Sequence, residues 1–496
     1  MLVEEKPANR RLYKTGKDST DFSKSSTKVA MWCRARHRII CLPQPSAICG
    51  NARARVSNLV SQVHAGSSKG QVEFLNWLRN RGENDACSKI TVGMTMHGRS
   101  LLAARSIQAG ECMLRVTREL MITPDMLPEE VTQMLPKDTS DWARLALFIL
   151  AEQHAGQKSA WAPYMSCLPR IGSIHSTVFW KKEELAMLRQ SSLYHETMQR
   201  RAVIRAEYAA VQSALQDCRH IFGDSVSHLH FKHAYVTVCS RAWGIEALHT
   251  LALVPFVDFL NHDSSCRTLL SYDEEKGFAE VVADRDYVAG EQVVISYGRL
   301  SNVTLALDFG FTVPHNPFDQ VEIWMGLSRK DVLRTSKLKL LHSHDMHTLP
   351  KFDGSDSGGN SFSMQEVKSV IGRGKGIPHS LRAFARIICA SSSPELTELA
   401  EDAAKHDGRL ARRPLKDKIK EAQAMSLLLA RIETLIEEHV AAFLALQIGS
   451  SSQFPGCVQS LRREMTEAVL GGELRILRSA AAWLNHHSTP LTVLND

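Results

Sequence analysis

Two regions with the texture of β-strands are separated by a long block of helical periodicity, and this order limits the possible folds more than any other feature. Short apolar runs punctuated by glycine fill residues 89–123, and similar runs return at residues 279–297. Between them, from residue 141 to about residue 240, apolar residues recur with the period of an α-helix. A fold built from alternating βαβ units would instead place a helix after each strand. We therefore predict an α+β fold whose β core is split by a helical insertion.

The C-terminal third changes texture again and predicts a separate helical domain. A Gly- and Ser-rich stretch at 351–363 is typical of a surface loop, and two long stretches of helical period follow at 415–447 and 457–484. A chain of 496 residues is long enough for more than one hydrophobic core. We predict three parts: a leader at residues 1–70, the split β core at 71–312 with its insertion at about 130–240, and an all-α domain at 313–496.

The first 72 residues carry the positive charge of the chain. They contain thirteen Lys or Arg against four acidic residues, a balance of +9, whereas the whole chain carries +7, so the remainder is at −2. The basic balance therefore belongs to the leader. A nucleic-acid-binding surface on the folded part is not required, and we expect no nucleic-acid partner.

The leader also has the composition of a targeting segment. No acidic residue occurs between Asp21 and Glu73, and the segment is rich in Arg and Ser, as organelle transit peptides are. Glu4 and Glu5 do not fit that pattern, which becomes clearer if translation starts at Met31. A disordered basic tail is the alternative. We expect a chloroplast transit peptide, with the cytoplasm or a mitochondrion as the other locations to test.

Cysteine spacing and hydropathy exclude several classes of protein. Eleven cysteines are scattered without a CxxC pair or zinc spacing, so we predict reduced thiols and no metal site. No apolar run reaches 18 residues, and a membrane span is not expected. The GxSxG, HExxH and phosphate-loop motifs are missing, which removes the common hydrolase, metalloprotease and P-loop patterns.

The run LVPFVDFLNHDSS, at residues 253–265, passes from apolar residues to a polar cluster. Asp258 stands inside the apolar part, where a buried carboxylate requires partners. Asn261 offers a donor and an acceptor, which suits the edge of a purine, although an Asx turn would place the same residue there. The run predicts a strand that crosses the core and presents Asn261 and His262 to a ligand.

Three further places contain residues that suit a ligand. Gly98, between two predicted strands, lets the backbone approach a ligand, although most such glycines only form turns. Arg241 ends an apolar helix in VCSRAWG and can pair with a carboxylate, although by itself the pattern favours a surface arginine with a buried stem. Tyr297 ends the run EQVVISY and is either a ligand group or a core aromatic with a satisfied hydroxyl.

Taken in order, these places resemble the SET-domain protein methyltransferases, in particular the group typified by the plant Rubisco large-subunit methyltransferase. The resemblance rests on the Gly turn, SRAWG, FVDFLNHD, GEQVVISYG and NVTLALDFGF, and it extends over roughly residues 71–480. In that group a helical insertion splits the SET domain, and a helical substrate-binding domain follows. The resemblance therefore implies a SET-type β core, S-adenosyl-L-methionine as the cofactor and a protein as the substrate.

The functional residues of that family are carried over through the shared motifs. The resemblance implies that Asn261 and His262 bind the adenine end of the cofactor and that Arg241 contacts its amino-acid end. Tyr297 falls on the active-site tyrosine and is the catalytic candidate. The other implied residues are His97, Gly98, Arg99 and Asp258 for the cofactor, and Tyr272 and Phe309 for the substrate pocket.

Two residues depart from the family pattern. Ser100 stands where a second glycine is frequent, and its side chain could narrow the cofactor turn. Phe309 replaces a tyrosine in LDFGF, which removes one hydroxyl from the pocket and can alter the number of methyl groups added or the residue accepted.

The function implied is transfer of a methyl group from S-adenosylmethionine to a lysine of a non-histone protein. The Cys-rich segment that follows many histone-directed SET domains is missing, which agrees with the non-histone group. A histidine-directed protein methyltransferase and a non-catalytic SET-like interaction scaffold are the alternatives. The sequence predicts neither the oligomeric state nor the substrate.

Overall fold

The computed structural model describes residues 69–81, 88–95, 98–346, 348, 358–448 and 457–488, and the structural statements below refer to these. The leader, with its predicted transit peptide, lies outside the described residues, and so does His97. Within the described ranges, no helix has both the length and the apolar character needed to cross a bilayer. These described residues also contain no group of His, Cys, Asp or Glu side chains arranged to hold a metal ion.

The strands form small sheets that meet around the predicted site. Their bounds are β1 Ile90–Thr95, β2 Gly98–Ala103, β3 Cys112–Thr117, β4 Ala242–Ile245, β5 Thr250–Leu253, β6 Asn261–His262, β7 Leu270–Asp273, β8 Phe278–Val282, β9 Gln292–Ile295, β10 Val321–Gly326 and β11 Gly359–Met364. The first sheet has the order β1-β2-β9-β6, the second has the order β3-β8-β7, and β4 pairs with β5. These neighbours run antiparallel except for β6 and β9, which run parallel.

The insertion between β3 and β4 is helical, as predicted. The helices of the chain are α1 Lys69–Asn80, α2 Glu129–Met134, α3 Asp141–Ala155, α4 Ala162–Met165, α5 Lys182–Ala186, α6 Ser192–Asp217, α7 Arg219–Phe222, α8 His228–Arg241, α9 Asn302–Thr304, α10 Arg334–Ser343, α11 His379–Cys389, α12 Ser393–Lys405, α13 Lys418–Ile448 and α14 Cys457–Ser488. Ser140 caps α3, since its Oγ accepts a hydrogen bond from the Ala143 N–H at 3.2 Å. α8 packs against α3 and α6 and ends at Arg241, immediately before β4.

The C-terminal domain is mainly helical, but it is not all-α as expected. β10 and β11 pair in antiparallel register, with Ile323 opposite Phe362. Val321, Ile323 and Met325 are buried and alternate with more exposed residues, the pattern of a strand with one face in the core. This alternation is only six residues long and lies near the start of the domain expected to be all-α, which is why the sequence analysis missed it.

The described residues form two hydrophobic cores, and helix α14 contributes to both. The first core contains residues from Phe74 to Leu307 together with Met465 and Val469 of α14. The second contains residues from Val321 to Leu484. The predicted limits at 71–312 and 313–496 remain our proposed domain boundaries.

A buried carboxylate on α14 connects the insertion to the C-terminal helices. Glu473 accepts a hydrogen bond from Ser191 Oγ at 2.7 Å and lies 3.0 Å from His439 Nε2 of α13. Glu473 and His439 are almost fully buried, so each satisfies the other's need for a polar partner.

Two local predictions were wrong. The strand-like texture of residues 89–123 includes a run at 120–123, but Leu120 ends a 3-10 turn that begins at Arg118, and Ile122 makes only a single bridge to Leu253. The run at 253–265 is not one strand, because β5 ends at Leu253 and a 3-10 turn occupies Val257–Phe259 before β6 begins. Short apolar runs are buried in either conformation, so composition could not distinguish them.

Candidate functional site

The site is built where β6 and β9 lie side by side. Asn261 pairs with Val294 and His262 with Ile295 in parallel register. Parallel strands need a long connection, and here β7 and β8 lie within it and form part of the second sheet. Before β6, the chain is turned by Phe256, which has φ of +77° although it is not glycine. Backbone strain of this kind persists only where the surrounding structure enforces it.

Tyr297 joins the two segments that carry the predicted residues. Its hydroxyl donates a hydrogen bond to the Leu260 carbonyl oxygen at 2.6 Å. Its backbone N–H donates to His262 Nδ1 at 3.1 Å. The structure therefore brings the catalytic candidate Tyr297 next to the cofactor candidates Asn261 and His262.

The protonation states of these groups follow from their burial. Burial raises the pKa of the Tyr297 phenol, and the charge of Arg241 opposes this only in part, so the phenol is a hydrogen-bond donor at neutral pH. Burial lowers the pKa of His262, so the imidazole is neutral and its Nδ1 accepts the hydrogen bond from Tyr297. These two groups offer directed hydrogen bonds rather than a general base.

Aromatic rings surround Tyr297. Phe309 stacks on it with 4.9 Å between ring centroids, and His262 stacks at 5.1 Å. Trp243 meets it edge-on at 5.6 Å. Each of these four residues is only partly buried. The apolar faces of these rings can pack against the methylene groups of a long aliphatic side chain such as that of lysine.

The insertion fixes the turn that carries Phe309. Residues Leu305–Phe309 form a π-helical turn, a rare element that is frequent at functional sites. Ser176 Oγ donates to the Leu307 carbonyl oxygen at 2.5 Å, and Arg200 pairs with the buried Asp308 at 2.7 Å. Gly310 ends the turn with φ of +79°, and a Cβ there would lie 2.6 Å from the Ser176 backbone nitrogen. Only glycine fits this position without displacing the insertion.

Arg241 and Asp258 form a buried pair beside the same site. Arg241 donates to the Asp258 carboxylate at 3.0 Å and to its carbonyl oxygen at 2.8 Å. Tyr164 donates its hydroxyl to the same carboxylate oxygen at 2.9 Å. Burial raises the pKa of Asp258, and Arg241 and Tyr164 oppose that rise. The surface-arginine interpretation of Arg241 is wrong, since its guanidinium is held by the buried carboxylate.

Residues at the start of β2 also contact Asn261. Asn261 Nδ2 donates to Ser100 Oγ at 2.8 Å and to the Arg99 carbonyl oxygen at 3.4 Å. The Arg99 side chain turns inward, where its guanidinium donates to the Cys167 carbonyl oxygen and lies 4.9 Å from the Phe259 ring centroid. Gly98 has φ of +90°, and no atom lies within 4 Å of the position that a Cβ would take.

Tyr272 is the candidate that the structure does not bring into this cluster. It lies on β7 in the second sheet, opposite Ala279, and packs partly buried against the first core. Among the described residues it makes no ring contact with Tyr297 or Phe309. Its role in a lysine channel remains a prediction.

The sequence analysis missed three residues of the site. Trp243 follows Arg241 by two positions in SRAWG, and Phe311 follows Phe309 by two positions and lies 6.2 Å from both Phe309 and His262. Their places inside the quoted motifs were the available signal. Tyr164 lies 94 positions before its partner Asp258, and no local pattern indicates that contact.

Comparison with known families agrees with this architecture. The chain matches the SET domain family over residues 98–298, and the fold and the site therefore define a SET-domain protein. It also matches the Rubisco LSMT substrate-binding family over residues 328–477. With both matches in this order, the chain contains a SET domain followed by a Rubisco LSMT substrate-binding domain.

Curated relatives include lysine- and histidine-directed enzymes. The chain is 29% identical to the chloroplastic fructose-bisphosphate aldolase-lysine N-methyltransferase of Arabidopsis thaliana, over 60% of this chain and 64% of the relative. It is 28% identical to the chloroplastic ribulose-1,5 bisphosphate carboxylase/oxygenase large subunit N-methyltransferase of Nicotiana tabacum, over 56% and 59%. It is 29% identical to the actin-histidine N-methyltransferase of Homo sapiens, over 54% and 47%. The chain thus spans less than two thirds of the length of each.

Solved structures show the same fold. The crystal structure of the SET domain of LSMT bound to lysine and AdoHcy superposes with a TM-score of 0.67 at 20% identity, covering 84% of this chain and 91% of that one. Rubisco LSMT bound to AdoMet gives 0.62 at 20% identity, covering 85% and 93%. The predicted SET-type core, split by a helical insertion and followed by a helical domain, is confirmed.

Proposed function

We propose that this chain is an S-adenosylmethionine-dependent N-methyltransferase that acts on a lysine side chain of a non-histone protein. The observation that carries the proposal is the hydrogen bond of 2.6 Å from the Tyr297 phenol to the Leu260 carbonyl oxygen, inside an aromatic surround and next to Asn261. Two plant relatives support the same assignment by their names, one an aldolase-lysine N-methyltransferase and the other a Rubisco large subunit N-methyltransferase.

The residues present fit the cofactor. Its amino-acid end carries a carboxylate and an ammonium, which need a donor and an acceptor respectively. Within the described residues, Arg241 Nε and Asp258 Oδ1 are buried without a hydrogen-bond partner, so one donor and one acceptor remain for a ligand. The open space at Gly98 leaves the backbone of the β2 turn accessible. We assign Gly98, Arg99, Arg241, Asp258, Asn261 and His262 to cofactor binding, with His97 retained as a sequence-based candidate.

Methyl transfer requires a neutral amine held in line with the donor. S-adenosylmethionine, when bound, supplies a methyl group on a positively charged sulfur. Trp243, Tyr297 and Phe309 would hold the aliphatic end of the lysine, and such positioning can lower a barrier by roughly 7–11 kcal/mol at best. A dry aromatic surround disfavours the ammonium form of lysine, whose ordinary pKa is about 10.4, so the proton leaves to water. Tyr297, protonated and fixed by Leu260, orients the amine without acting as a base.

The decisive experiment is a labelling reaction with the whole chain. We would incubate the protein with S-adenosylmethionine carrying a labelled methyl group and a chloroplast extract, and then identify the labelled residue by mass spectrometry. We expect methyl-lysine in a non-histone protein. Label on histidine would establish the histidine-directed alternative. Phe309 is compatible with that alternative, because it lacks the hydroxyl of the tyrosine found in the family at this position. No label, together with no cofactor binding, would indicate a scaffold.

We also propose that the protein acts in the chloroplast. Relatives from Arabidopsis thaliana, Nicotiana tabacum and Pisum sativum carry the word chloroplastic in their names, and the acid-poor leader has a matching composition. Fusion of residues 1–70 to a fluorescent protein should give fluorescence inside plastids. Fluorescence in the cytoplasm or in mitochondria would contradict this.

A further inference from the structure

A cluster of cationic side chains lines a cavity in the helical insertion, and none of its residues belongs to the site around Tyr297. Arg201 and Arg205 lie one turn apart on α6, and His228 and Lys232 lie one turn apart on α8. The cavity has a volume of about 270 Å³, and Phe179 and Trp180 contribute its apolar wall. Two helices thus present four nitrogen-bearing side chains to one partly open cavity.

The charges of this cluster have no acidic partner. Within the described part of the chain, no carboxylate forms an ion pair with Arg201, Arg205 or Lys232. Burial and then the charges of Arg201 and Arg205 lower the pKa of Lys232. Like charges brought together in a partly dry space destabilise one another unless an anion joins them.

An unsatisfied polar atom in the same cavity points to a ligand independently of the charges. His228 Nε2 is buried and has no hydrogen-bond partner among the described residues. Burial and then Lys232 lower the pKa of His228, so its ring is neutral and one of its nitrogens can donate a hydrogen bond. Buried polar atoms of this kind usually have a partner, and a bound ligand would supply it.

The cavity is held in shape before any ligand binds. Arg201 Nε donates to the Val178 carbonyl oxygen at 3.0 Å, and a second guanidinium nitrogen donates to the Thr177 carbonyl oxygen at 3.3 Å. Lys232 Nζ lies 5.2 Å from the centroid of the Phe179 ring. These contacts restrain the Arg201 and Lys232 side chains at the wall of the cavity, so these two lose little conformational entropy on binding.

We propose that this cavity binds the phosphate monoester of a small organic molecule, with the phosphate between Arg201, Arg205 and Lys232 and the organic part against Phe179 and Trp180. A phosphate monoester carries about −1.5 to −2 charges at pH 7, which matches several cations better than the single charge of a carboxylate does. The cavity is near the lower end of the roughly 300–1,000 Å³ range of ligand pockets, so a small molecule fits it better than a peptide segment.

Calorimetric titration of the full chain at low ionic strength tests this proposal, with phenyl phosphate, inorganic phosphate and benzoate as probes. We expect saturable binding of phenyl phosphate, weaker binding of inorganic phosphate, which lacks the ring, and the weakest binding of benzoate. Lys232→Gln should weaken phenyl phosphate binding by about tenfold or more, since a hydrogen bond to a charged group is lost. Arg189→Gln removes an exposed cation of the insertion outside the cavity and should leave the affinity unchanged.

Arg205→Gln provides a second variant at an exposed position, in case Lys232→Gln fails to fold. It should also weaken phenyl phosphate binding while the circular dichroism spectrum is preserved. Equal affinity of folded Lys232→Gln or Arg205→Gln and the unaltered protein would overturn the proposal, as would the absence of saturable binding. Binding of a phosphoserine peptide but of none of the three small probes would also overturn it. Methyl transfer is not measured, so the outcome is independent of the proposed function.

Discussion

The side-chain amide of Asn261 donates a hydrogen bond to Ser100 Oγ at 2.8 Å and so joins the two β regions that the insertion separates. Ser100 is fully buried, and its hydroxyl also lies 2.9 Å from Thr95 Oγ1. The serine that was expected to narrow the cofactor turn therefore ties that turn to Asn261. The Ser100 hydroxyl thus already has hydrogen-bond partners within the protein.

Replacement of Asn261 by alanine should abolish measurable cofactor binding while the fold is retained. The variant loses the bond to Ser100 and the weaker one to the Arg99 carbonyl oxygen, so the β2 turn is no longer held against β6. The stability cost should be about 1–3 kcal/mol, which a folded domain usually tolerates. Titration with S-adenosylmethionine measures the affinity, and thermal unfolding verifies the fold. An unchanged dissociation constant would refute the role of Asn261.

Replacement of Ser100 by glycine, the residue frequent in the family, should not improve cofactor affinity. It leaves the Asn261 amide without its best acceptor and adds backbone freedom to β2, so unfolding should become easier by about 1–3 kcal/mol. Ser271→Gly on the exposed side of β7 is the control and should cost only about 0.5–1 kcal/mol. Tighter cofactor binding by Ser100→Gly would instead mean that the serine obstructs the turn.

Asp319 should make stability depend on pH. Burial raises its pKa from 3.8 to about 6, although Asn302 donates to it at 2.8 Å. The folded protein therefore holds this proton more tightly than the unfolded chain, so the stabilising contribution is complete below pH 4 and is lost as the pH rises through 6. The loss should approach about 3 kcal/mol. In Asp319→Asn this part of the pH dependence should vanish, as denaturant unfolding between pH 4 and 7 would show. Parallel curves for the two proteins would contradict the assignment.

Two adjacent glycines of α14 should respond oppositely to alanine. A Cβ on Gly472 would lie 3.0 Å from Cγ of the buried Asp319, whereas a Cβ on Gly471 meets nothing within 4 Å. Gly471→Ala should stabilise the protein by about 1 kcal/mol through helix propensity. Gly472→Ala should destabilise it by roughly 1–3 kcal/mol through crowding. Equal shifts in melting temperature for the two variants would show that a Cβ at position 472 does not crowd Asp319.

The main features of the site were predictable because they lie inside local motifs. The apolar runs that end at Asn261 and at Tyr297 must both be buried, and their polar ends then meet at one edge of the core. The helical period up to Arg241 likewise predicted that this residue would lie at the C-terminal end of α8. The order of strands, helices and strands predicted a split core without any information on contacts.

Other contacts were not predictable because they join distant parts of the chain. Nothing around Tyr164 indicates that its hydroxyl will satisfy Asp258, and only the packing of the insertion brings them together. The turn through Phe256 was missed because its positive φ contradicts the preference of a bulky residue. The pairing of β10 with β11 depends on a strand that follows α10 and could not be inferred from either run alone.

The most direct test of the central claim is the methyl-transfer rate of Tyr297→Phe. The substitution removes only the hydroxyl that donates to Leu260, and it preserves the ring that stacks on Phe309. We predict that labelling of the substrate falls by roughly 100-fold or more, since the phenol oxygen that orients the amine at the reacting centre is lost. The dissociation constant for S-adenosylmethionine should remain within about twofold of the original, which is under 0.5 kcal/mol. A variant that labels its substrate at the normal rate would contradict the assignment of Tyr297 as the catalytic residue.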